Sequence, residues 1–169
     1  MISRAVAGFG PALAGTRRAR AAEAGDEEVA MSLANPAPDY FQPEDGMFLA
    51  TLLIVRDIDR SREHYERVFG ATCVHDANPL IMKFFNSYII INVEGGPTDD
   101  KPTVQAKAPV DSNTLSCAMN VRVRDIRALY TEWKARGADF LTEPKDHGTE
   151  IRCYLRDPDG YLVEIGQGL

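Results

Sequence analysis

Val55-Arg56-Asp57-Ile58 returns letter for letter as Val123-Arg124-Asp125-Ile126. Such an identity within one short chain marks an internal duplication when its surroundings repeat as well, and here they do. Apolar stretches precede both copies, Phe48 to Val55 and Cys117 to Val123. Helical patterns follow both, closing on Gly70-Ala71 and Gly137-Ala138. Each apolar stretch predicts a strand. Each Asp predicts a helix N-cap, because its carboxylate can accept the first free N–H groups. Each Gly supplies the left-handed residue that ends a helix. Ile58, Ser61, Arg62, Tyr65, Val68 and Phe69 fall near one stripe of the first helix. Ile126, Leu129, Tyr130 and Trp133 do so in the second, with Arg127, Lys134 and Arg136 outside it.

Strands are predicted after each helix, at 71–75, 80–85 and 87–93 and again at 138–141, 149–156 and 161–167. Asp157-Pro158-Asp159-Gly160 is the turn between the last two. The order is β-α-β-β-β, twice. A helix on one side of each sheet leaves the other face free. The predicted fold is therefore α+β, with two tandem βαβββ modules forming a curved mixed sheet around a central cavity and helices on the outer face. Module 1 covers about 47–94 and module 2 about 114–169. The linker, 95–113, is dense in Gly, Pro and Asp; its Gly95-Gly96 lacks the Gly-Lys-Ser/Thr of a phosphate loop. Residues 47–169 are thus one domain behind an extended segment, 1–46.

That segment is rich in Ala, Gly, Pro and charge. No apolar run follows Arg17-Arg18, which argues against an export signal. Arg4, Arg17, Arg18 and Arg20 without an acid resemble a transit peptide only faintly, since Ser3 is the one serine among them. Met31 is a candidate alternative start.

A chain of 169 residues that is 44% hydrophobic and 26% charged can fold without a disulfide or metal staple. Its net charge of −6 supplies no broad positive field for nucleic acid or anionic lipid, so neither is an expected partner. Cys73, Cys117 and Cys153 are odd in number and widely spaced. They form no thiolate zinc motif and read as small buried hydrophobes in a reducing compartment, the cytoplasm.

Alternation along the strands sorts side chains into a helix-packed set and a concave set. Ile151, Cys153, Leu155, Tyr161, Val163 and Ile165 belong under the helix, with Cys117, Met119, Val121 and Val123. Asn120, Arg122, Arg152, Tyr154 and Glu164 then face the hollow as a polar group, with Ala118 and Leu162 beside them. In module 1 the corresponding positions are Ala50, Leu52 and Ile54, a greasy wall. One apolar wall with a few convergent polar groups suits a small-molecule ligand.

These residues resemble the vicinal oxygen chelate superfamily, the glyoxalase I, bleomycin-resistance and extradiol dioxygenase group. The resemblance rests on Val-Arg-Asp-Ile-Asp-Arg-Ser (55–61) with Tyr65 and Phe69-Gly70, on Lys134-Ala-Arg-Gly-Ala138, and on Arg156-Asp-Pro-Asp-Gly-Tyr-Leu-Val-Glu164. It implies a homodimer. It also implies a divalent ion held by His, Gln or Glu from the first and last strands of each module, where the ion stabilises a developing oxyanion. The matching positions are Ala50, Ala118, Ile90 or Ile91, and Glu164, so only Glu164 keeps a ligand type. One carboxylate does not make a catalytic metal site, so no cofactor is predicted, and a divalent metal ion is the disfavoured alternative.

Glu164 is the candidate proton acceptor or ligand contact, with the alternative of an ion pair to Arg152 or Arg122. His147, on the loop entering the polar strand, is the second candidate acid–base residue. Asn120, Arg122, Arg152, Tyr154, Leu52 and Ile54 are the candidate substrate-binding residues. Arginine forks there suit a carboxylate, phosphate or enolate. His64 and His75 carry no role in this reading. Three functions remain open: a ligand-binding protein without chemistry, a lyase, isomerase or dioxygenase with an atypical metal set or a metal-free acid–base mechanism, and an accessory or regulatory subunit with a vestigial cavity.

Overall fold

The structure is a computed structural model that describes residues 46–169; the expectations for the segment before them, and for Met31, lie outside the described residues. Strand β1 (Thr51–Val55) leads into helix α1 (Ile58–His64), whose last turn widens into a π-helix (Tyr65–Phe69). Strands β2 (Thr72–His75), β3 (Leu80–Phe84) and β4 (Ser87–Val93) complete the first unit. The second unit has β5 (Met119–Arg122), α2 (Ile126–Ala135), β6 (Asp139–Phe140), β8 (Glu150–Arg156) and β9 (Leu162–Gly168), plus a short unforeseen strand, β7 (Lys145–Asp146), on the β8 edge.

The strands form two mixed sheets of matching order, β1-β4-β3-β2 and β5-β9-β8-β6. In each, the first strand lies parallel to the last, the only way a strand–helix–three-strand unit can return beside its start; β1 pairs with β4 and β5 with β9. Asp57 and Asp125 cap their helices as predicted, accepting from the N–H groups of Arg60 and Ala128 at 3.0 Å. Such caps contribute about 1 kcal/mol each. Gly70 and Gly137 end the helices at φ +67° and +92°. The first unit has one more residue between cap and glycine than the second, and the π-turn absorbs it.

One apolar core runs through both units. Leu53, Val55, Ile89 and Ile91 of the first sheet are buried on its helix side, as are Ile151, Cys153, Leu155, Val163 and Ile165 of the second. The two helix ends also meet. Phe69 stacks on Trp133 with ring centroids 4.5 Å apart, and Phe84 closes on both rings. Arg67 donates to the carbonyl of Arg136, and Arg136 donates to that of Val68 at 3.3 Å. A Cβ on Gly137 would meet only the tip of the Arg67 side chain, so it is the left-handed φ that calls for glycine here.

The Asp157–Gly160 turn does more than reverse the chain. It reaches across to the first unit and is buried there. The Asp159 carboxylate, fully shielded, accepts from Arg60 at 2.9 Å, from the Arg56 side chain at 3.1 Å and from the Arg56 N–H at 3.0 Å. Tyr65 donates its hydroxyl to Asp157 at 2.9 Å. The Tyr161 hydroxyl accepts from the N–H of Ile54 and donates to its carbonyl, both at 3.1 Å. It thereby satisfies backbone groups on the otherwise unpaired side of edge strand β1. Burial raises the carboxyl of Asp157, partly offset by the Tyr161 N–H and the Tyr65 hydroxyl.

Cys117 departs from expectation. It precedes β5 and is exposed rather than packed under the helix. Cys73 is half-buried and Cys153 buried, and burial pushes the Cys153 thiol up to about 11, an inert state. Among the described residues no helix is long and apolar enough to cross a membrane.

Candidate functional site

Register builds the polar face tier by tier. Asn120 of β5, Glu164 of β9 and Tyr154 of β8 stand in one row across the second sheet. Asn120 donates its amide to one Glu164 oxygen at 2.5 Å, and Tyr154 donates its hydroxyl to the other. The hydrogen bond to Glu164 raises the Tyr154 phenol above its ordinary value, keeping it a proton-bearing donor. Arg122 and Arg152 pair with Glu150 rather than with Glu164. Two neutral donors fix its carboxylate, and neither neutralises its charge.

The arginines belong to the next tier. Arg122 and Arg152 both lie opposite Gly166. Each takes one oxygen of Glu150, at 3.0 and 3.1 Å. The Arg122 hydrogen bond holds the Glu150 carboxyl below its usual range, with Arg152 and His147 adding to the effect. A Cβ on Gly166 would lie 2.1 Å from the Arg122 guanidinium, so the glycine is what lets that group rest on the sheet. His147 is exposed in the β7–β8 hairpin, where its N–H donates to the Glu150 carbonyl at 2.9 Å. Its nearest ionic influence is on Glu150; among the described residues it makes no side-chain hydrogen bond to Glu164.

The same positions in the first sheet are aliphatic. Leu52, Ile90 and Ile81 form the row equivalent to Asn120, Glu164 and Tyr154. Leu52 is exposed, Ile90 half-buried and Ile81 buried. Ile54 lies one tier on, beside Asn92. This register resolves the alternative between Ile90 and Ile91: Ile90 corresponds to Glu164, and Ile91 is in the core.

The fit of a divalent ion can be judged on these donors. Ala50, Ala118 and Ile90 offer none beside Glu164, and no three His, Cys, Asp or Glu side chains converge among the described residues. Of the positions where the resemblance implies ligands, Glu164 is the one with a donor side chain.

Two cavities flank the Asp157–Gly160 turn. One of about 470 Å³ is lined by Lys107, Val110, Leu115, Cys117, Tyr161 and Leu162. The other, about 390 Å³, is lined by Arg56, Ser112, Asp139 and Arg156. Leu162 precedes Glu164 on the same face of β9, so the first cavity adjoins the foot of the polar face. Sequence reasoning missed Glu150 as the arginines' partner and the Asp157–Asp159 clamp. A carboxylate two residues before Arg152 on the same strand face was the available signal for the former.

Comparison with known proteins agrees with this architecture. The family model described as glyoxalase/bleomycin resistance protein/dioxygenase superfamily matches residues 48–165. A probable lactoylglutathione lyase of Vibrio parahaemolyticus is 27% identical over 126 residues, 73% of this chain and 91% of that protein. A glyoxalase/bleomycin resistance protein/dioxygenase from Nocardioides has a similar fold, with TM-score 0.60, 17% identity and coverage of 86% of this chain and 93% of that one. So does the fosfomycin resistance protein FosX from Listeria monocytogenes, with TM-score 0.54, 16% identity and coverage of 73% and 93%. The repeated βαβββ units and the matching family model lead to one assignment: the chain belongs to the glyoxalase/bleomycin resistance protein/dioxygenase superfamily.

Proposed function

We propose that this protein binds a small polar or anionic molecule on the concave face of its second unit, without a resident metal ion. The observation that carries the reading is the contrast between equivalent rows, Asn120-Glu164-Tyr154 in one sheet and Leu52-Ile90-Ile81 in the other. Glu164 accepts hydrogen bonds and orients the ligand, Asn120 and Tyr154 hold Glu164, and Arg122 and Arg152 attract its negative group. Leu52 and Ile54 supply apolar contact. A homodimer goes with this reading, as the family resemblance implies.

A second reading is an enzyme of the superfamily, a lyase, isomerase or dioxygenase working through an atypical metal set or by acid–base chemistry without metal; its Vibrio relative is named a probable lactoylglutathione lyase. Glu164 supports it by position, a carboxylate on the concave face with Asn120 and Tyr154 fixing its orientation. His147, placed beside Glu150, is the weaker acid–base candidate in this reading.

Thermal-shift screening of the full chain against small acids and aromatic metabolites identifies ligands, and calorimetry then measures them. Glu164→Ala and Arg152→Ala are expected to weaken those ligands about tenfold, the worth of one hydrogen bond to a charged group, while the fold persists. If both variants bind every hit as wild type does, the site is elsewhere.

A further inference from the structure

The basic tier of the second sheet holds one more cation than the arginines. Lys145 of β7 stands opposite Arg152 in the β7–β8 register, and residues directly opposed in an antiparallel pair share a face. Lys145, Arg152 and Arg122 thus occupy one row across β7, β8 and β5, with Gly166 of β9 between the arginines. The face continues past that row to Gly168, where an added Cβ would meet nothing within 4 Å. Gly166 lies under the Arg122 guanidinium and Gly168 leaves open space beside the three cations, in a chain whose net charge is −6.

Among the described residues, the carboxylate that pairs with the arginines of this row comes from the tier beyond. Glu150 bridges the arginines, one oxygen to each, while both guanidinium groups stay partly open to water. A carboxylate that bridges two guanidinium forks marks where an oxyanion sits.

We propose that Arg122, Arg152 and Lys145 form an oxyanion subsite and that Glu150 is its internal counter-ion, displaced when the carboxylate or phosphoryl group of a ligand arrives. The Glu150 side chain then turns toward the open space over Gly168, leaving a site with three positive charges. Glu164 lies one tier away, two residues along the strand or roughly 6.6 Å. The ligand class follows: a small molecule whose anionic group lies about that far from the polar atom that Glu164 contacts. This deepens the preceding reading and rests on it.

The test titrates inorganic phosphate and, separately, acetate into the full chain at constant ionic strength with chloride as the balancing anion, followed by calorimetry. Glu150→Gln removes the competing charge at unchanged size and is expected to tighten one or both anions about tenfold. A gain for phosphate identifies a phosphoryl ligand, and a gain for acetate a carboxylate. Adding Arg152→Ala to Glu150→Gln should abolish the gain, and Lys145→Ala, on an exposed residue, should weaken binding in the otherwise native chain. The proposal is overturned if Glu150→Gln leaves both anions unchanged or weaker while circular dichroism shows an intact fold. Hits whose affinity still depends on Glu164 would in that case leave the ligand-binding reading standing and remove only the oxyanion subsite.

Discussion

Asp159→Ala lowers the free energy of unfolding by about 3 kcal/mol, as expected when one partner of a buried charge cluster is removed. The carboxylate is shielded from water and accepts from two guanidinium groups and a backbone N–H. Without it, Arg56 and Arg60 lose their shared partner, and the turn loses what holds it against β1 and α1. Because both arginines remain half-exposed, water recovers part of the loss, which keeps the effect below that of a fully buried pair. Urea unfolding at neutral pH measures it. A midpoint unchanged from wild type would mean that the Asp-Pro-Asp-Gly motif does not join the two units.

The second large effect depends on pH. His64 is buried against Tyr65 and Phe69, and its Nε2 has no hydrogen-bond partner among the described residues. Burial, aided by the charge of Arg67, pushes its imidazole down to about 4. The unfolded chain, with an ordinary histidine near 6.5, takes up a proton first as the pH falls. Stability on this account is complete above about pH 6.5 and declines progressively toward pH 4, with about 2 kcal/mol lost between pH 7 and pH 5. His64→Leu removes the titrating group at similar volume, so its urea midpoint should change less than that of wild type over the same interval. Parallel losses in the two proteins would show that His64 does not control acid stability.

The fold was legible because its information is periodic and local. Two Asp caps, two terminal glycines and strict alternation place Leu53 and Val55 inside and Leu52 outside, without knowledge of any distant contact. The extra residue before Gly70 was visible as a length difference, though only the structure shows that a π-turn takes it up. The clamp was not legible. Asp159 and Arg60 lie far apart in the chain, and an ion pair between distant elements leaves no local period. The same limit explains the pairing of Glu150. Parity put Arg122, Arg152 and Glu164 on one face, yet parity does not say which carboxylate an arginine chooses. Register decides it, because Glu164 falls in the row of Asn120 and Tyr154, and Gly166 in the row of the arginines. Short elements were the other loss: two residues of β7 carry no pattern, and with them went Lys145.

In the proposed function the site is a hydrogen-bonding and charge-complementary surface, and that proposal rests on the identity of four side chains, Ala50, Ala118, Ile90 and Glu164. Metal analysis of the purified full chain, before and after incubation with nickel, zinc, manganese and iron(II) and removal of loosely held ions, tests this most directly. The account predicts far less than one equivalent of any of them, unchanged by Glu164→Gln. One equivalent of a divalent ion that Glu164→Gln abolishes would contradict it.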